Sequence, residues 1–286
     1  MWDEIVEQIS AATGMAFRLS DVRPVGGGCI NEAYRLDGNG GPFFAKLNRA
    51  DELEMFEAEV DGLRDIAATE TIRVPHPVCH GISNGQAYLV LEHIELGDGG
   101  SQSELGRCLA KLHALLQPNF GWRRDNTIGS TPQPNPSGDD WVAFLREHRL
   151  GFQCRLAKHN ALRLDGANDL LGQLDGFFAG YEPRPSLLHG DLWNGNIAFG
   201  PCGEPVIFDP ATYCGDREAE FGLTEMFGGF GNDFWSAYEA EWPLDPGYPT
   251  RKLLYRLYHT LNHYNIFGGS YGSAAEGIVN RLLRAL

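Results

Sequence analysis

The sequence predicts an α+β fold with a small β-rich N-terminal lobe and a larger, mostly helical C-terminal lobe. Short apolar stretches bounded by Gly, Pro, Asn and Asp dominate the first third of the chain and are typical of strands. Apolar residues at helical spacing dominate the remainder. A flexible stretch, Gly97-Asp98-Gly99-Gly100, separates the two patterns. We therefore expect residues 1–91 to form one lobe, 92–100 a hinge and 101–286 the second lobe.

Composition indicates an ordinary globular protein and argues against several classes of partner. The net charge of −15 opposes nucleic-acid binding through phosphate neutralisation. No apolar run is long enough to span a bilayer, and the acidic, amphipathic N-terminus is unlike a signal peptide. The six cysteines are spread along the chain without a C-x-x-C pair, which favours a reducing cytoplasm over a disulfide scaffold or a zinc ribbon.

The N-terminal lobe is predicted to begin with a helix over residues 2–12, followed by strands. Two glycine-rich segments, 26–28 and 37–41, separate the first three strands. Asp51 is expected to cap the next helix, whose apolar stripe includes Leu53 and Phe56. The strands are expected over residues 19–25, 29–36, 42–47, 78–82 and 87–91.

The C-terminal lobe is predicted to be helical apart from its centre. Residues 117–138 form an irregular stretch, for which we consider substrate contact or a plain linker. His259 and His263 lie four residues apart on one helix, a spacing that suits zinc, although packing is the favoured interpretation without a third ligand. Helices are expected over 103–116, 141–150, 167–179, 217–227, 233–241, 249–264 and 274–286.

Polar side chains cluster after two short strands in the centre of the second lobe. The first strand, 186–188, leads into His189-Gly190-Asp191-Leu192-Trp193-Asn194-Gly195-Asn196. The second, 205–208, ends on Asp209. A base for an alcohol and oxygen ligands for Mg²⁺ are what phosphoryl transfer requires. Ordinary turn chemistry is the alternative, but the two clusters together are harder to explain that way.

Two residues of the first lobe complete this pattern. Lys46 lies on the third predicted strand, and Glu59 lies on the helix that follows it, where a Lys–Glu pair would hold the ammonium toward a phosphate. Glu59 on a solvated helix face is the alternative. The five-residue step from Asp191 to Asn196 matches the kinase pattern H-R-D-x-x-x-x-N with Gly190 in place of Arg, and Asp209 stands where D-F-G is expected.

With these motifs in hand, the whole chain resembles the fructosamine kinase (ketosamine-3-kinase) family, within the protein-kinase-like, aminoglycoside-phosphotransferase-like superfamily. H-G-D-x-x-x-x-N alone indicates only the superfamily. Narrower features are Leu192-Trp193, the run Gly215-Asp216-Arg217-Glu218, the glycine turn that continues into Cys29-Ile30-Asn31, residues 126–135, and the Tyr/His-rich segment 254–269.

The resemblance implies a two-lobed kinase-like fold and ATP-dependent phosphorylation of a sugar hydroxyl on a ketosamine. Asp191 would be the base or orienting group, and it would need no raised pKa because the transition state is loose. Asn196 and Asp209 would bind Mg²⁺, and Lys46, held by Glu59, would contact the α/β-phosphates. The remaining implied residues are Gly26, Gly27 and Gly28 over the phosphates, the backbone of Glu92 and Ile94 with His93 between them at adenine, and Trp193 and Asp216 on the substrate side.

Alternatives remain within and outside this class. A kinase of the same fold could act on an aminoglycoside, choline or a similar alcohol, although Leu192-Trp193 and residues 215–218 argue against it. A catalytically silent nucleotide-binding module would not need Lys46, Asp191, Asn196 and Asp209 together. We expect a monomer whose substrate is a small ketosamine or a glycated lysine. The family resemblance also makes Cys29 a candidate for a redox-dependent intermolecular disulfide, with a small buried hydrophobic residue as the alternative.

Overall fold

The structure, a computed structural model, describes residues 1–26 and 30–286. The N-terminal part is built on a five-stranded antiparallel sheet in the order β1-β2-β3-β5-β4. Two helices accompany this sheet, one before β1 and one between β3 and β4. The elements are α1 (Trp2–Thr13), β1 (Leu19–Val25), β2 (Glu32–Gly38), β3 (Phe43–Arg49), α2 (Leu53–Ala68), β4 (Pro77–Ser83) and β5 (Gln86–Glu92).

Residues 93–101 contain neither helix nor strand, and the elements that follow are mostly helices. Three short two-stranded antiparallel pairs interrupt them within the described part of the chain: β6–β7, β8–β11 and β9–β10. The elements are α3 (Gln102–Ala114), β6 (Asn126–Ile128), β7 (Thr131–Gln133), α4 (Trp141–Phe144), α5 (Gly151–His159), α6 (Ala167–Gly172), β8 (Pro185–Leu188), β9 (Ile197–Phe199), β10 (Pro205–Ile207), β11 (Tyr213–Asp216), α7 (Phe221–Thr224), α8 (Asn232–Glu241), α9 (Tyr248–Phe267) and α10 (Tyr271–Leu283).

Most predicted elements are present with shifted ends, and four differences have physical causes. Asp51 does not cap α2, because its carboxylate bonds the Arg49 guanidinium and a 3₁₀ turn precedes the helix. The predicted helix 141–150 continues as a π-helical turn (Leu145–Leu150) into α5. The predicted helix 167–179 breaks near Gly172 into α6 and a 3₁₀ segment, Leu174–Phe178. The irregular stretch 117–138 contains the β6–β7 hairpin.

Apolar packing joins the sheet to the helical part. Phe56, Val60 and Leu63 of α2 are buried in a cluster that also contains Leu109 of α3 and Leu192. A second cluster, centred on α9, fills the interior of the helical part. None of the helices in the described ranges is long and apolar enough to cross a membrane.

Candidate active site

Lys46 lies at the centre of the candidate site, between two carboxylates. Its Nζ donates to Glu59 Oε1 at 2.6 Å and to Asp209 Oδ1 at 2.6 Å. The side chain reaches this position because β3 runs through the middle of the sheet, with β2 on one side and β5 on the other. Lys46 is 4% exposed, and Glu59 is 8% exposed. The expected Lys–Glu pair is therefore present, and Glu59 is not on a solvated helix face.

The charges around Lys46 keep it protonated despite burial. Burial lowers the pKa of Lys46, but the negative charges of Asp209 and Glu59 outweigh it and raise the pKa above its usual value. Burial raises the pKa of Glu59 against the opposing effect of Lys46. The arrangement holds one fixed ammonium at the interface between the sheet and Asp209.

Asp209 follows β10 in an unusual backbone conformation. Its φ is 59°, in the left-handed region that residues with a Cβ seldom adopt. Its side chain is 46% exposed, and among the described residues its Oδ2 has no hydrogen-bond partner. One carboxylate oxygen is thus tied to Lys46 while the other is free to bind a ligand.

The loop from His189 to Asn196 lies beside Asp209 and is closed by its own side chains. Asn196 Nδ2 donates to the backbone oxygen of Asp191 at 2.8 Å and to Asp191 Oδ2 at 3.0 Å. His189 Nε2 is 2.9 Å from the Phe208 carbonyl oxygen, and the Ala211 N–H donates to the His189 carbonyl. These bonds join the Asp191 loop to the segment that carries Asp209.

Asp191 has a carboxyl group that binds protons more tightly than usual. Burial is the main cause, and the hydrogen bond from Asn196 opposes it while the charges of Asp209 and Glu220 add to it. Together they raise its pKa to about 7. The surroundings of the loop therefore raise this pKa, although the loose transition state of phosphoryl transfer does not itself require a raised pKa at the base.

Glu220 is a residue of this site that the sequence analysis did not identify. Its buried carboxylate accepts the N–H of His189 at 2.7 Å and that of Gly190 at 2.9 Å. It also lies 3.3 Å from His113 Nε2. Burial alone would raise the pKa of Glu220, but these donors hold it below its usual range, so the group stays ionised. The sequence offers one signal for this residue: Glu220 is a second acidic residue, two positions after Glu218.

Trp193 and Asp216 have different surroundings. The Trp193 ring packs at 5.1 Å from Phe227, whose ring is 5.5 Å from His263. These rings form an aromatic face beside the Asp191 loop. Asp216 is fully buried, and Tyr181 and Tyr255 donate to its two oxygens. It pairs with Pro185 at the far end of the β8–β11 ladder, away from the Asp191 loop, so the structure does not bring it to this site.

The hinge begins at Glu92, the last residue of β5, which is an inner strand of the sheet. The glycine turn is only partly described. The Glu92 carboxylate bonds Arg73, while the Glu92 N–H donates to His76. The Ile94 N–H has no hydrogen-bond partner among the described residues, which leaves it available to a ligand. Gly26 is exposed, whereas Gly27, Gly28 and Cys29 lie outside the described residues.

The histidine pair on α9 does not form a metal site in the described residues. His263 Nδ1 bonds the backbone oxygen of His259 at 2.8 Å. His259 is 4% exposed, and its ring lies 4.9 Å from that of Tyr258. No group of three or more His, Cys, Asp and Glu side chains within 1–26 and 30–286 has a metal-binding arrangement. Packing is the interpretation that fits these contacts.

Comparisons with known proteins agree with this geometry. The fructosamine kinase family model matches residues 1–285. A "probable ketoamine kinase" from Synechocystis is 48% identical over 99% of this chain and 97% of its own length. A protein-ribulosamine 3-kinase from Arabidopsis thaliana, described as chloroplastic, is 42% identical over 100% of this chain and 90% of its own.

Solved structures of kinases have the same fold as this chain. A candidate fructosamine-3-kinase from Haemophilus somnus has a TM-score of 0.92 at 29% identity, covering 99% of this chain and 98% of its own. A choline kinase from Streptococcus pneumoniae, at 14% identity, has a TM-score of 0.63 over 100% of this chain and 99% of its own and shares the fold alone. The predicted α+β, protein-kinase-like fold is confirmed, and the chain belongs to the fructosamine kinase family.

Proposed function

We propose that this protein is an ATP-dependent kinase that phosphorylates a sugar hydroxyl of a ketosamine, in a repair reaction on glycated amines. The observation that carries the proposal is the contact of Lys46 with both Glu59 and Asp209, beside the loop that holds Asp191 and Asn196. The family and the names of its relatives support the ketosamine as acceptor. They favour it over an aminoglycoside or choline, whose kinases share the fold at low identity.

The nucleotide is proposed to lie between the two lobes, 1–91 and 101–286, against the hinge 92–100. Lys46 would bind its α/β-phosphates, with Glu59 fixing the ammonium. The backbone of Glu92 and Ile94, with His93 between them, would meet adenine. Gly26, Gly27 and Gly28 would lie over the phosphates, a role that rests on the family resemblance.

The residues present fit Mg²⁺. Asp209 Oδ2 and Asn196 Oδ1 make no hydrogen bond to any described residue, so two hard oxygen atoms remain for a cation. Mg²⁺ is commonly bound through one or two protein oxygens and the phosphates of its substrate. We propose these two residues as its ligands. When bound, the ion would offset the negative charge of the phosphate oxygens.

Asp191 would act on the acceptor. Its Oδ2 is held by Asn196, which leaves Oδ1 to accept a hydrogen bond from the sugar hydroxyl and then its proton. Glu220 keeps the backbone of this loop in place through two N–H groups. Trp193, at the aromatic face, would pack against the apolar part of the substrate. We do not propose a substrate contact for Asp216, because its carboxylate is buried between two tyrosines.

A coupled assay of ADP release tests the proposal. With Mg²⁺ and ATP, we expect turnover on ribulose-, erythrulose- or fructose-lysine and little on an aminoglycoside or choline. Asp191→Asn should lower kcat by about 10²–10⁴-fold, because it removes the base without changing side-chain size. The control is Asp175→Asn, which changes an exposed carboxylate that pairs with Arg146. Near-normal turnover by folded Asp191→Asn would contradict the role, and activity on none of the ketosamines would contradict the function.

The proposal extends to the location of the protein, its oligomeric state and Cys29. The spacing of the cysteines supports a cytoplasmic location. The protein is proposed to be a monomer. A dimer linked through Cys29 under oxidising conditions is tested by non-reducing electrophoresis with and without Cys29→Ser.

A further inference from the structure

Residues 122–135, which we call the strap, contact both segments that place a carboxylate on Lys46. The strap includes the β6–β7 hairpin. Its N-terminal end lies against α2, which carries Glu59, and its centre lies against the segment 209–212. It is anchored to the helical part because Arg149 donates through Nη1 to the Pro134 carbonyl at 2.7 Å and through Nη2 to Asn135 Oδ1 at 2.6 Å.

At α2, the strap neutralises three acids. Glu57, Asp61 and Asp65 are spaced four residues apart, so they share one helix face, and like charges at this spacing destabilise a helix. Arg123 Nη1 donates to Asp65 at 2.6 Å, and Arg124 donates to Asp61 and Glu57 at 3.2 Å each. In addition, Trp122 Nε1 donates to Asp65 at 2.9 Å.

At the segment 209–212, the strap uses two side-chain amides, those of Asn126 and Gln133. Asn126 Nδ2 donates to the Thr212 carbonyl at 2.8 Å, and Gln133 Nε2 donates to the Ala211 carbonyl at 3.1 Å. Gln133, 1% exposed, also accepts a bond of 2.6 Å from the Tyr258 hydroxyl on α9. The strap therefore holds, from one side, the backbone that follows Asp209, whose own φ lies in the left-handed region.

The two surfaces that the strap contacts, α2 and the segment 209–212, lie next to each other. A Cβ added at Gly62 of α2 would lie 2.5 Å from Thr212 Oγ1 and 3.5 Å from Pro210, so the helix packs directly on the segment 209–212. The strap bonds α2 on one side of this junction and residues 211–212 on the other. A shift of the strap would move Glu59 and Asp209 relative to each other.

We propose that the strap is a positioning element that sets the two carboxylates around Lys46, with Arg123, Arg124 and Gln133 as its positioning residues. This rests on the proposed function, in which Lys46 and Asp209 serve the nucleotide and its metal. In this role the strap holds α2 in the position required for the Lys46–Glu59 pair. Within the described part of the chain it makes no hydrogen bond to Lys46, Asp191 or Asp209, and we expect it to act through the geometry of Lys46.

The arginines are tested by hydrogen exchange of α2 and by calorimetric titration with Mg²⁺ and a non-hydrolysable ATP analogue. Arg124→Ala and Arg123→Ala should speed exchange around Glu59 and weaken analogue binding about two- to fivefold, the range of partly exposed ion pairs. Arg124→Lys should recover part of the loss because it keeps the charge. Raising the salt concentration should weaken binding by the wild type more than by the arginine variants, since salt screens these pairs.

Arg146→Ala is the matched control. Its guanidinium is 29% exposed, as is that of Arg124, but it pairs with Asp175, and α2 should not respond. Gln133→Glu tests the other contact, because it keeps an acceptor for Tyr258 and removes the donor to the Ala211 carbonyl and to Asn126 Oδ1. It should weaken analogue binding about tenfold, the cost of an unpaired buried acceptor.

Unchanged α2 exchange and analogue binding in both arginine variants would overturn the proposal, and so would an equal change in Arg146→Ala. A lower melting temperature without a change in analogue binding would mean that the strap only stabilises the fold. This result would also overturn the proposal. If the wild type binds no analogue and consumes no ATP, the proposed function fails instead. The exchange measurement needs no ligand and would still decide whether the strap holds α2.

Discussion

Lys46 and Glu59 form a buried ion pair whose effect on stability depends on both partners being present. Lys46→Met should lower the free energy of unfolding by about 3–5 kcal/mol, because it leaves the Glu59 carboxylate buried without its cation. Lys46→Met combined with Glu59→Leu should recover most of this loss, since no buried charge then remains. Urea denaturation without ligand measures both values.

Arg163→Met provides the comparison for that experiment. Its guanidinium pairs with Asp165 at 3.0 Å but is 89% exposed, so its loss should change stability by less than about 1 kcal/mol. A double variant no more stable than Lys46→Met alone would show that the buried Glu59 charge is not the cause.

Individual residues of the site were predictable where a motif fixes their spacing. Asp191, Asn196 and Asp209 follow short strands, and the structure brings Asp209 to Lys46 and holds Asp191 and Asn196 together in the adjoining loop. Glu220 was missed because its contact with the loop joins residues 30 and 31 positions apart, which no local pattern encodes. Asp216 also lies in a motif, the run 215–218, but its side chain faces two tyrosines. The direction of a side chain at the end of a strand is set by packing, which the motif does not encode.

At the level of elements, Gly190 joins β8 to the Asp191 loop in a way that admits no side chain. Its φ is 83°, and an added Cβ would lie 2.2 Å from the Ala211 carbonyl oxygen. Gly190→Ala should therefore add about 1–3 kcal/mol of backbone strain and also push the loop away from the segment that carries Asp209. We expect lower stability and a fall in kcat, measured by urea denaturation and the ADP-release assay.

Gly180→Ala separates the two causes. Gly180 also has a positive φ, 78°, but an added Cβ would meet no atom of the described residues within 4 Å. It should therefore show the strain alone and leave kcat unchanged. Equal kcat values for Gly190→Ala and the wild type would contradict the packing argument.

Helices and strands were predicted well where one face is apolar, because burial then sets their period. The irregular stretch 117–138 was not assigned any structure, since its hairpin is held by side-chain amides rather than by an apolar pattern. Its residues bond carbonyls of Ala211 and Thr212, which are remote in the chain. The choice between linker and substrate contact could not be made from local sequence for the same reason.

At the scale of the whole molecule, the site depends on contacts between distant parts of the chain. Lys46 and Asp209 are 163 residues apart in sequence and 2.6 Å apart in the structure. The order of motifs along the chain predicted this meeting only through the family resemblance. The physical reason for it, the packing of α2 against residues 210–212 at Gly62, became visible in the structure.

Buried histidines should make the whole protein sensitive to acid. Burial, with the charges of His263 and Arg149, lowers the pKa of His259 to about 3, whereas in the unfolded chain it is about 6.5. Below pH 6.5 the unfolded state therefore binds a proton that the folded state does not, and stability falls by about 2 kcal/mol by pH 5. His259→Leu should flatten this slope in urea denaturation between pH 7 and 5. The cost should be small, since His259 Nδ1 has no hydrogen-bond partner among the residues that the structure describes. Replacing the exposed His159 by Leu should leave the slope unchanged, and the same slope in His259→Leu as in the wild type would mean that His259 is protonated in the fold.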